Sequence, residues 1–179
     1  EPQVEVDLTG LPGFTEQMRR ANVRAGARVV RAQVTRPTPE VAEGLDLRRD
    51  ADVFEIVRVR SARREPLALE ETYLPAELFP GLLDRPLTGS LYGLMRTHYD
   101  LAPHHAQEWL EPEISSSEHA ALLEIEPGTA VLLVTRKAST AAGLTVEFAR
   151  DRYRADRTRI SLRTGVAPGA TTELLIERV

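Results

Sequence analysis

Two pairs of β-branched segments, each pair separated by a short turn, constrain the fold of this chain more than any other feature. VFEIVRVRS at 53–61 precedes PLALEETYL at 66–74, and TAVLLVTRKAST at 129–140 precedes LTVEFARDRYR at 144–154. Runs rich in Val, Ile, Thr and aromatic residues on either side of a short turn are typical of antiparallel β-hairpins. The sequence therefore predicts an antiparallel sheet rather than the strict βαβ alternation of a parallel one.

Shorter elements are predicted around the two hairpins, and together they make the chain an α+β protein. SSSEHAALLEI contains a capping box, Ser115 with Glu118 three residues later, so a helix is expected to run to about Ile125. The segment 35–50 is rich in breakers, and no element is assigned to it. The other predicted elements are a strand over residues 4–8, a helix over 14–21, a strand over 28–34, a helical turn within 75–84, a helix over 90–99, a strand over 105–114 and a strand-like piece over 173–179.

The composition is that of an ordinary globular domain and excludes several classes of protein. In 179 residues, Lys+Arg 23 and Asp+Glu 27 give a net charge of −4, and there is no cysteine. Disulfides, thiolate metal sites and cysteine nucleophiles are thereby excluded. No apolar run is long enough for a membrane span, and the first ten residues do not form a signal peptide. We therefore expect one cytoplasmic domain with no membrane partner.

Charge is unevenly distributed along the chain. Residues 100–126 hold seven acids and no Lys or Arg, whereas 136–163 hold eight basic residues and three acids, a sum of 8 − 3 = +5. Such blocks are typical of solvated faces that complement each other within one domain. In the second block, Arg150, Arg152 and Arg154 share one strand face and are expected to be solvated. The acidic total argues against a basic stripe for nucleic-acid phosphates.

Arg58 and Arg60 stand two residues apart on a predicted strand, so both side chains leave the same face of the sheet. Phe54 and Ile56 share this face, which predicts that it is buried where it begins. Two guanidinium groups at the end of an apolar face are costly unless a fixed anion meets them. That anion could be a Glu or Asp of the same fold, or the phosphate or carboxylate of a ligand held bidentately.

Five further polar residues stand out, each with an ordinary structural interpretation. Glu70 lies on the returning strand of the hairpin, where a glutamate is commonly solvated or salt-bridged. Ser90 follows a glycine at the start of a helix, where serine usually caps the helix, although the hydroxyl and free amides there also suit a small anion. Tyr92, just inside that helix, suits the core. Glu147 and Tyr153 face the same way on one strand.

No motif for catalysis, a metal or a cofactor is present. The four histidines show neither HxxxH nor HExxH spacing, and the chain has no GxSxG, P-loop or GxGxxG sequence. Nothing in the sequence pairs a nucleophile with a positioned base. We therefore expect no catalytic residue, no metal site and no cofactor.

Four segments, taken in their order and spacing, resemble the UTRA domain, the effector-binding half of the HutC-type branch of GntR-family bacterial transcription regulators. The resemblance extends from about Leu8 to Arg163. The segments that carry it are LTGLPGFTEQMRRANVRAG, VRVRSARREPLALEETYLP, LTGSLYGLM and GLTVEFARDRYRADR. Each is weak alone, and the specificity lies in their combination.

The resemblance implies a chorismate-lyase-like fold, an antiparallel sheet flanked by helices with a ligand cleft, and a sensor rather than an enzyme. It implies that Arg58 and Arg60 hold an acidic group of a small metabolite, helped by Ser90 and Tyr92. Glu70, Glu147 and Tyr153 would meet the polar remainder of the ligand, such as sugar hydroxyls. A phosphosugar is the favoured ligand, with amino-sugar phosphates first.

The resemblance also implies a division of the chain. Residues 1–27 would form an N-terminal linker segment with a short helix, 28–165 the effector-binding domain and 166–179 a strand-like tail. The family's winged helix-turn-helix is absent from this chain, so operator DNA would be contacted only through a domain not included here. The chain is expected to form a homodimer, because VEVDL and ELLIERV near its two ends could leave sheet edges for a second subunit to cover.

The sequence departs from the family's pattern at three places. These departures leave the residues for the acidic group of the ligand intact and bear on the identity of the rest of the ligand. Ala155 stands where the family commonly has glycine, Thr158 and Ile160 replace larger rings, and the first hairpin turns through Arg63-Arg64 instead of an Asn-Gly or Asp-Gly pair.

Two alternatives to a sensor stay open. One is a lyase acting on a small aromatic acid, and the other is a structural dimerisation domain whose arginines pair internally.

Overall fold

A computed structural model describes residues 4–7, 13–20 and 22–161 of the chain. The strands in these residues are β1 Val4–Asp7, β2 Ala25–Thr35, β3 Val53–Ala62, β4 Glu65–Pro75, β5 His105–Ile114, β6 Ala130–Ser139, β7 Thr145–Arg154 and β8 Thr158–Ser161. The α-helices are α1 Phe14–Arg20, α2 Pro39–Gly44, α3 Leu91–Leu94 and α4 Ser117–Leu123. One-turn 3₁₀ helices lie at Ala76–Leu78 and Leu82–Asp84, and a π-helical turn at Met95–Tyr99 continues α3.

The centre of the fold is a six-stranded sheet in the order β2-β3-β4-β7-β6-β5, in which every neighbouring pair is antiparallel. Both predicted hairpins are confirmed as β3-β4 and β6-β7, and the α+β class follows from the helices on the two faces of the sheet. β1 and β8 form a separate parallel pair. The N-terminal VEVDL segment therefore does not supply an edge of the main sheet, and ELLIERV lies outside the described residues.

Helices cover both faces of the sheet. On one face, α1 packs through Phe14 and Met18 onto Ala68 and Tyr153. The 3₁₀ turns, α3 and the π-helical turn pack beside α1 on the same face, over a second apolar cluster formed by Phe54, Ile56, Leu74, Phe79, Leu82, Leu87, Leu91, Met95 and Val146. On the opposite face, α4 packs on Val57, Val59 and Leu69, and α2 on Val53 and Phe148. The cleft described below opens on the first face, between α1 and α3.

Two helix predictions need correction. The segment without an assigned element contains α2, which Thr38 caps by accepting the Val41 amide at 3.3 Å and which Pro39 begins. The second correction concerns the cap of α4. Ser116, and not Ser115, is the N-cap, since its hydroxyl accepts the amide of His119 at 3.1 Å. Ser115 is buried.

The prediction of a solvated basic face on β7 is wrong for Arg152. This side chain is buried, and its guanidinium contacts Glu71 on β4 and, at 2.8 Å, Glu113 on β5. The two charge blocks of the sequence do complement each other, because Arg152 and Glu113 belong to different blocks. The pairing is internal because β7 is a central strand whose two faces are both covered.

The Arg63-Arg64 turn of the first hairpin adopts the left-handed conformation at both residues, with φ of 54° and 76°. A two-residue hairpin loop requires this geometry, which glycine and asparagine adopt at little cost and arginine does not. The antiparallel pairing of β3 with β4 therefore holds an unfavourable turn in place.

Candidate functional site

A polar cleft lies between the first face of the sheet, α1 and the start of α3. Its cavity volume is about 30 Å³. All seven residues predicted from the sequence line it: Arg58, Arg60, Glu70, Ser90, Tyr92, Glu147 and Tyr153. Their convergence is a geometric finding, and their role as ligand contacts stays a prediction.

The register of the sheet places the charged side chains of the cleft side by side. Arg58 lies directly across from Glu70, and Glu70 lies directly across from Asp151 on the next strand. Residues paired in this way have side chains within reach on the same face of the sheet. Three neighbouring strands thus present a guanidinium and two carboxylates in one row.

Arg58 forms one end of the cleft, with most of its donors already used. Its Nη1 donates to the carbonyls of Leu87 and Gly89, both at 2.9 Å, and its Nη2 donates to Glu70 at 2.6 Å. The residue is 3% exposed, and its Nε has no hydrogen-bond partner. The internal carboxylate that the sequence left open as a partner is therefore present, and it is Glu70.

Arg60 extends this end of the cleft toward α1. Its Nη2 donates to the hydroxyl of Thr15 at 2.9 Å, and its guanidinium lies 4.5 Å from the centre of the Phe14 ring. A single ion pair, at 3.7 Å to Glu70, offsets its burial, and burial lowers its pKa. The Nε of Arg60 is also buried without a partner.

Ser90 and Tyr92 join the cleft through α3. The hydroxyl of Ser90 accepts the amide of Gly93 at 3.0 Å, so its capping role is as expected. The hydroxyl of Tyr92 donates to Glu147 at 2.5 Å, which ties α3 to β7 across the cleft. Burial raises the pKa of Tyr92 well above its usual value, so this hydroxyl is a donor at neutral pH.

The other end of the cleft is acidic and is organised by Arg136 on β6. Its guanidinium lies 3.2 Å from Glu108, 3.2 Å from Glu147 and 2.7 Å from Asp151. One arginine thus meets three carboxylates, only one of which, Glu147, was a sequence candidate. Burial raises the pKa of Asp151 to about 7, and the adjacent Arg136 opposes this effect.

Sequence reasoning missed Arg136, Asp151 and the α1 residues that close the cleft. Asp151 could have been found, because it lies between Glu147 and Tyr153 at the strand period of two and must share their face. Arg136 gives a weaker signal. It follows the apolar run VLLV and Thr135 on β6, and only the sheet order shows that its face is the one carrying Glu147.

No three His, Asp or Glu side chains in the described part of the chain are grouped to hold a metal ion. The helices found there include none long and apolar enough to cross a membrane.

Comparison with known proteins gives a consistent result. The family model for the UTRA domain matches residues 20–159. The HTH-type transcriptional repressor NagR of Bacillus subtilis is 32% identical over 157 residues, which are 88% of this chain and 65% of that protein. The mannosyl-D-glycerate transport/metabolism system repressor MngR of Escherichia coli is 24% identical, over 90% of this chain and 68% of its own length. The chain thus spans about two thirds of the length of these relatives.

The fold has a close solved counterpart. The crystal structure of the effector domain of PhnF from Mycobacterium smegmatis superposes with a TM-score of 0.85 at 24% identity, covering 91% of this chain and all of that domain. This similarity concerns the fold alone, and it agrees with the sheet and helix arrangement described above.

Proposed function

The chain belongs to the UTRA domain family, the effector-binding domain of GntR-family transcription regulators, and we propose that its cleft binds an anionic metabolite such as a sugar phosphate. Binding there would control an attached winged helix-turn-helix, and the whole protein would act as a cytoplasmic repressor. These steps rest on family membership together with the polar groups of the cleft.

The observation that carries the proposal is the distribution of unsatisfied groups along the cleft. Arg58 and Arg60 each bury an Nε that has no acceptor, and at the other end Asp151 buries an Oδ1 that has no donor. Buried polar atoms without partners are uncommon and costly, and a ligand is one way to satisfy them. A molecule with an anionic group at one end and hydroxyl or amine donors at the other matches this pattern.

Glu70 gives the arginine pair an anion from within the fold. A buried guanidinium without a counter-charge is strongly unfavourable, so the Arg58–Glu70 pair stabilises this end of the cleft. A phosphate carries more charge than a carboxylate and offers three acceptor oxygens, so it can share or replace Glu70 at Arg58 and reach the free Nε atoms. The side chains must separate for this, because the cavity volume of the cleft is only about 30 Å³.

The names of the relatives support a repressor, and one of them also supports a carbohydrate-type effector. MngR is named for a mannosyl-D-glycerate system, and NagR is named a repressor. In the proposed mechanism, the effector favours one of two arrangements of a homodimer, and the attached DNA-binding domains then no longer fit the spacing of the operator half-sites. This mechanism requires that the two arrangements differ in their affinity for the effector.

A thermal-unfolding screen tests the proposed ligand class. We expect glucose 6-phosphate, glucosamine 6-phosphate or another sugar phosphate to stabilise the wild-type protein, and free sugars to have a much smaller effect. At 100 times its Kd, the ligand should add about 2.7 kcal/mol to the free energy of unfolding. The double variant Arg58→Ala/Arg60→Ala should lose this stabilisation, because the anionic group loses both guanidinium groups.

Arg152→Ala is the matched control. Arg152 is as buried as Arg58 and is also paired with carboxylates, but it lies on the opposite face of the sheet. The Arg152→Ala substitution should lower the stability of the protein and leave ligand binding unchanged. If the double variant does not fold, Arg58→Lys keeps the charge but cannot bind an anion bidentately. If no sugar phosphate or small acid stabilises the wild type, the arginines serve only the fold, and the dimerisation-domain alternative replaces this proposal.

A further inference from the structure

We infer that Asp151 is a specificity-determining residue of the cleft, which selects an effector carrying an ammonium group over the matching hydroxyl compound. The inference rests on the proposed function and assigns a role to a residue that neither the family resemblance nor the sequence motifs single out. It follows from the position of Asp151, its unused oxygen and the charge balance around it.

Asp151 is held in the cleft by one of its two oxygens. Oδ2 accepts from Arg136 Nη2 at 2.7 Å, and the residue is 1% exposed. Oδ1 has no hydrogen-bond partner, although the side chain lines the cleft. A fixed, buried carboxylate oxygen of this kind is preorganised to accept one hydrogen bond from a bound molecule.

The charges around the cleft favour a cationic donor for that bond. Three guanidinium groups face four carboxylates, which leaves one negative charge in excess when all the groups are ionised. A phosphate at the Arg58 end would increase this excess, whereas an ammonium group near Asp151 would remove it. The groups counted are Arg58, Arg60, Arg136, Glu70, Glu108, Glu147 and Asp151.

The electrostatic environment of Asp151 agrees with this role. Glu70 lies directly across from it on β4, and both Glu70 and Glu147 act with burial to raise its pKa to about 7. A ligand ammonium beside Oδ1 would favour the ionised form and form a charge-assisted hydrogen bond. Such a bond is about twice as strong as the neutral one that a hydroxyl could donate.

The test compares glucosamine 6-phosphate with glucose 6-phosphate, which differ only in the amine or hydroxyl at one carbon. Calorimetric titration at pH 7 should show that the wild-type protein binds the amine about tenfold more tightly. Asp151→Asn keeps the shape of the side chain and removes its charge, so the preference should fall to less than about threefold. Asp156→Asn, which removes one charge in the turn after β7, should keep the full preference.

The possible outcomes separate this inference from the proposed function. Equal affinity of the wild type for the two sugar phosphates, or an unchanged preference in the Asp151→Asn variant, overturns the role of Asp151 and leaves the anion site standing. A loss of the amine preference in the Asp156→Asn control also overturns the role of Asp151, because the loss of a distant charge would then be enough to abolish the preference. Failure of the wild type to bind either compound overturns the role of Asp151, and the anion site falls with it only if the wider screen of sugar phosphates and small acids also finds no ligand.

Discussion

Replacing Arg136 with methionine is expected to lower the free energy of unfolding by about 3–5 kcal/mol at pH 8. Methionine fills much of the same space, so the loss comes from charge. The guanidinium contacts Glu108, Glu147 and Asp151, and without it three largely buried carboxylates face one another without a counter-charge. Denaturation by urea at several pH values measures the effect.

The deficit of the Arg136→Met protein should shrink as the pH falls. Burial already raises the pKa of Asp151 to about 7 in the wild type, and loss of Arg136 raises it further. An acid whose pKa is higher in the folded than in the unfolded state favours folding at low pH, and this contribution is lost as the pH rises through the interval between the two pKa values. Part of the stability should therefore return near pH 5.

Arg48→Met is the control for this experiment. Arg48 pairs with Asp50, but both side chains are largely exposed, and such pairs contribute at most about 1 kcal/mol. The buried charge network would be contradicted if Arg136→Met lowered the free energy of unfolding as little as Arg48→Met does, or by an amount that does not depend on pH.

Replacing Phe79 with alanine is expected to lower the free energy of unfolding by about 3–5 kcal/mol. Phe79 is fully buried in the apolar cluster that includes Phe54, Ile56 and Leu82. Its ring also meets the edge of Tyr99, with centroids 5.2 Å apart. Alanine would lose these contacts and leave a cavity under the turns that lead into α3, which carries Tyr92. Chemical denaturation gives the value.

Leu144→Ala is the matched control for Phe79→Ala, because Leu144 is a large apolar residue that is 44% exposed. Its truncation should change the stability by no more than about 0.5 kcal/mol. If the Phe79→Ala protein were as stable as the wild type, the apolar cluster would not support α3 in the way described.

The sequence was sufficient to predict the hairpins and the clustering of the seven candidate residues. The hairpins follow from a local rule, since β-branched runs beside a turn form hairpins. Strand alternation places Arg58 with Arg60, and Glu147 with Tyr153, on shared faces, whereas the grouping of all seven residues in one site came from the family resemblance. The resemblance added the distant residues Ser90 and Tyr92, which no local rule connects to Arg58.

The remaining features depend on the sheet order, which no local pattern specifies. The burial of Arg152 results from the order of the strands around β7: Glu71 reaches it from the neighbouring β4, and Glu113 reaches it from β5, one strand beyond β6. Arg136 also reaches the cleft because of the strand order, since β6 lies beside β7, the strand that carries Glu147 and Asp151. The helix α2 was missed for a different cause. Thr38 and Pro39 are typical residues for the cap and the first position of a helix, but the other prolines and the glycine nearby indicated a segment without a helix.

The anion site at Arg58 and Arg60 is tested most directly by calorimetric titration of glucosamine 6-phosphate and free glucosamine into the wild-type protein and the Arg58→Ala/Arg60→Ala variant. The account predicts that the wild type binds the phosphate ester at least tenfold more tightly than the free sugar, and that this difference disappears in the variant. Equal affinity of the wild type for the two compounds, or an undiminished phosphate preference in the variant, would contradict it.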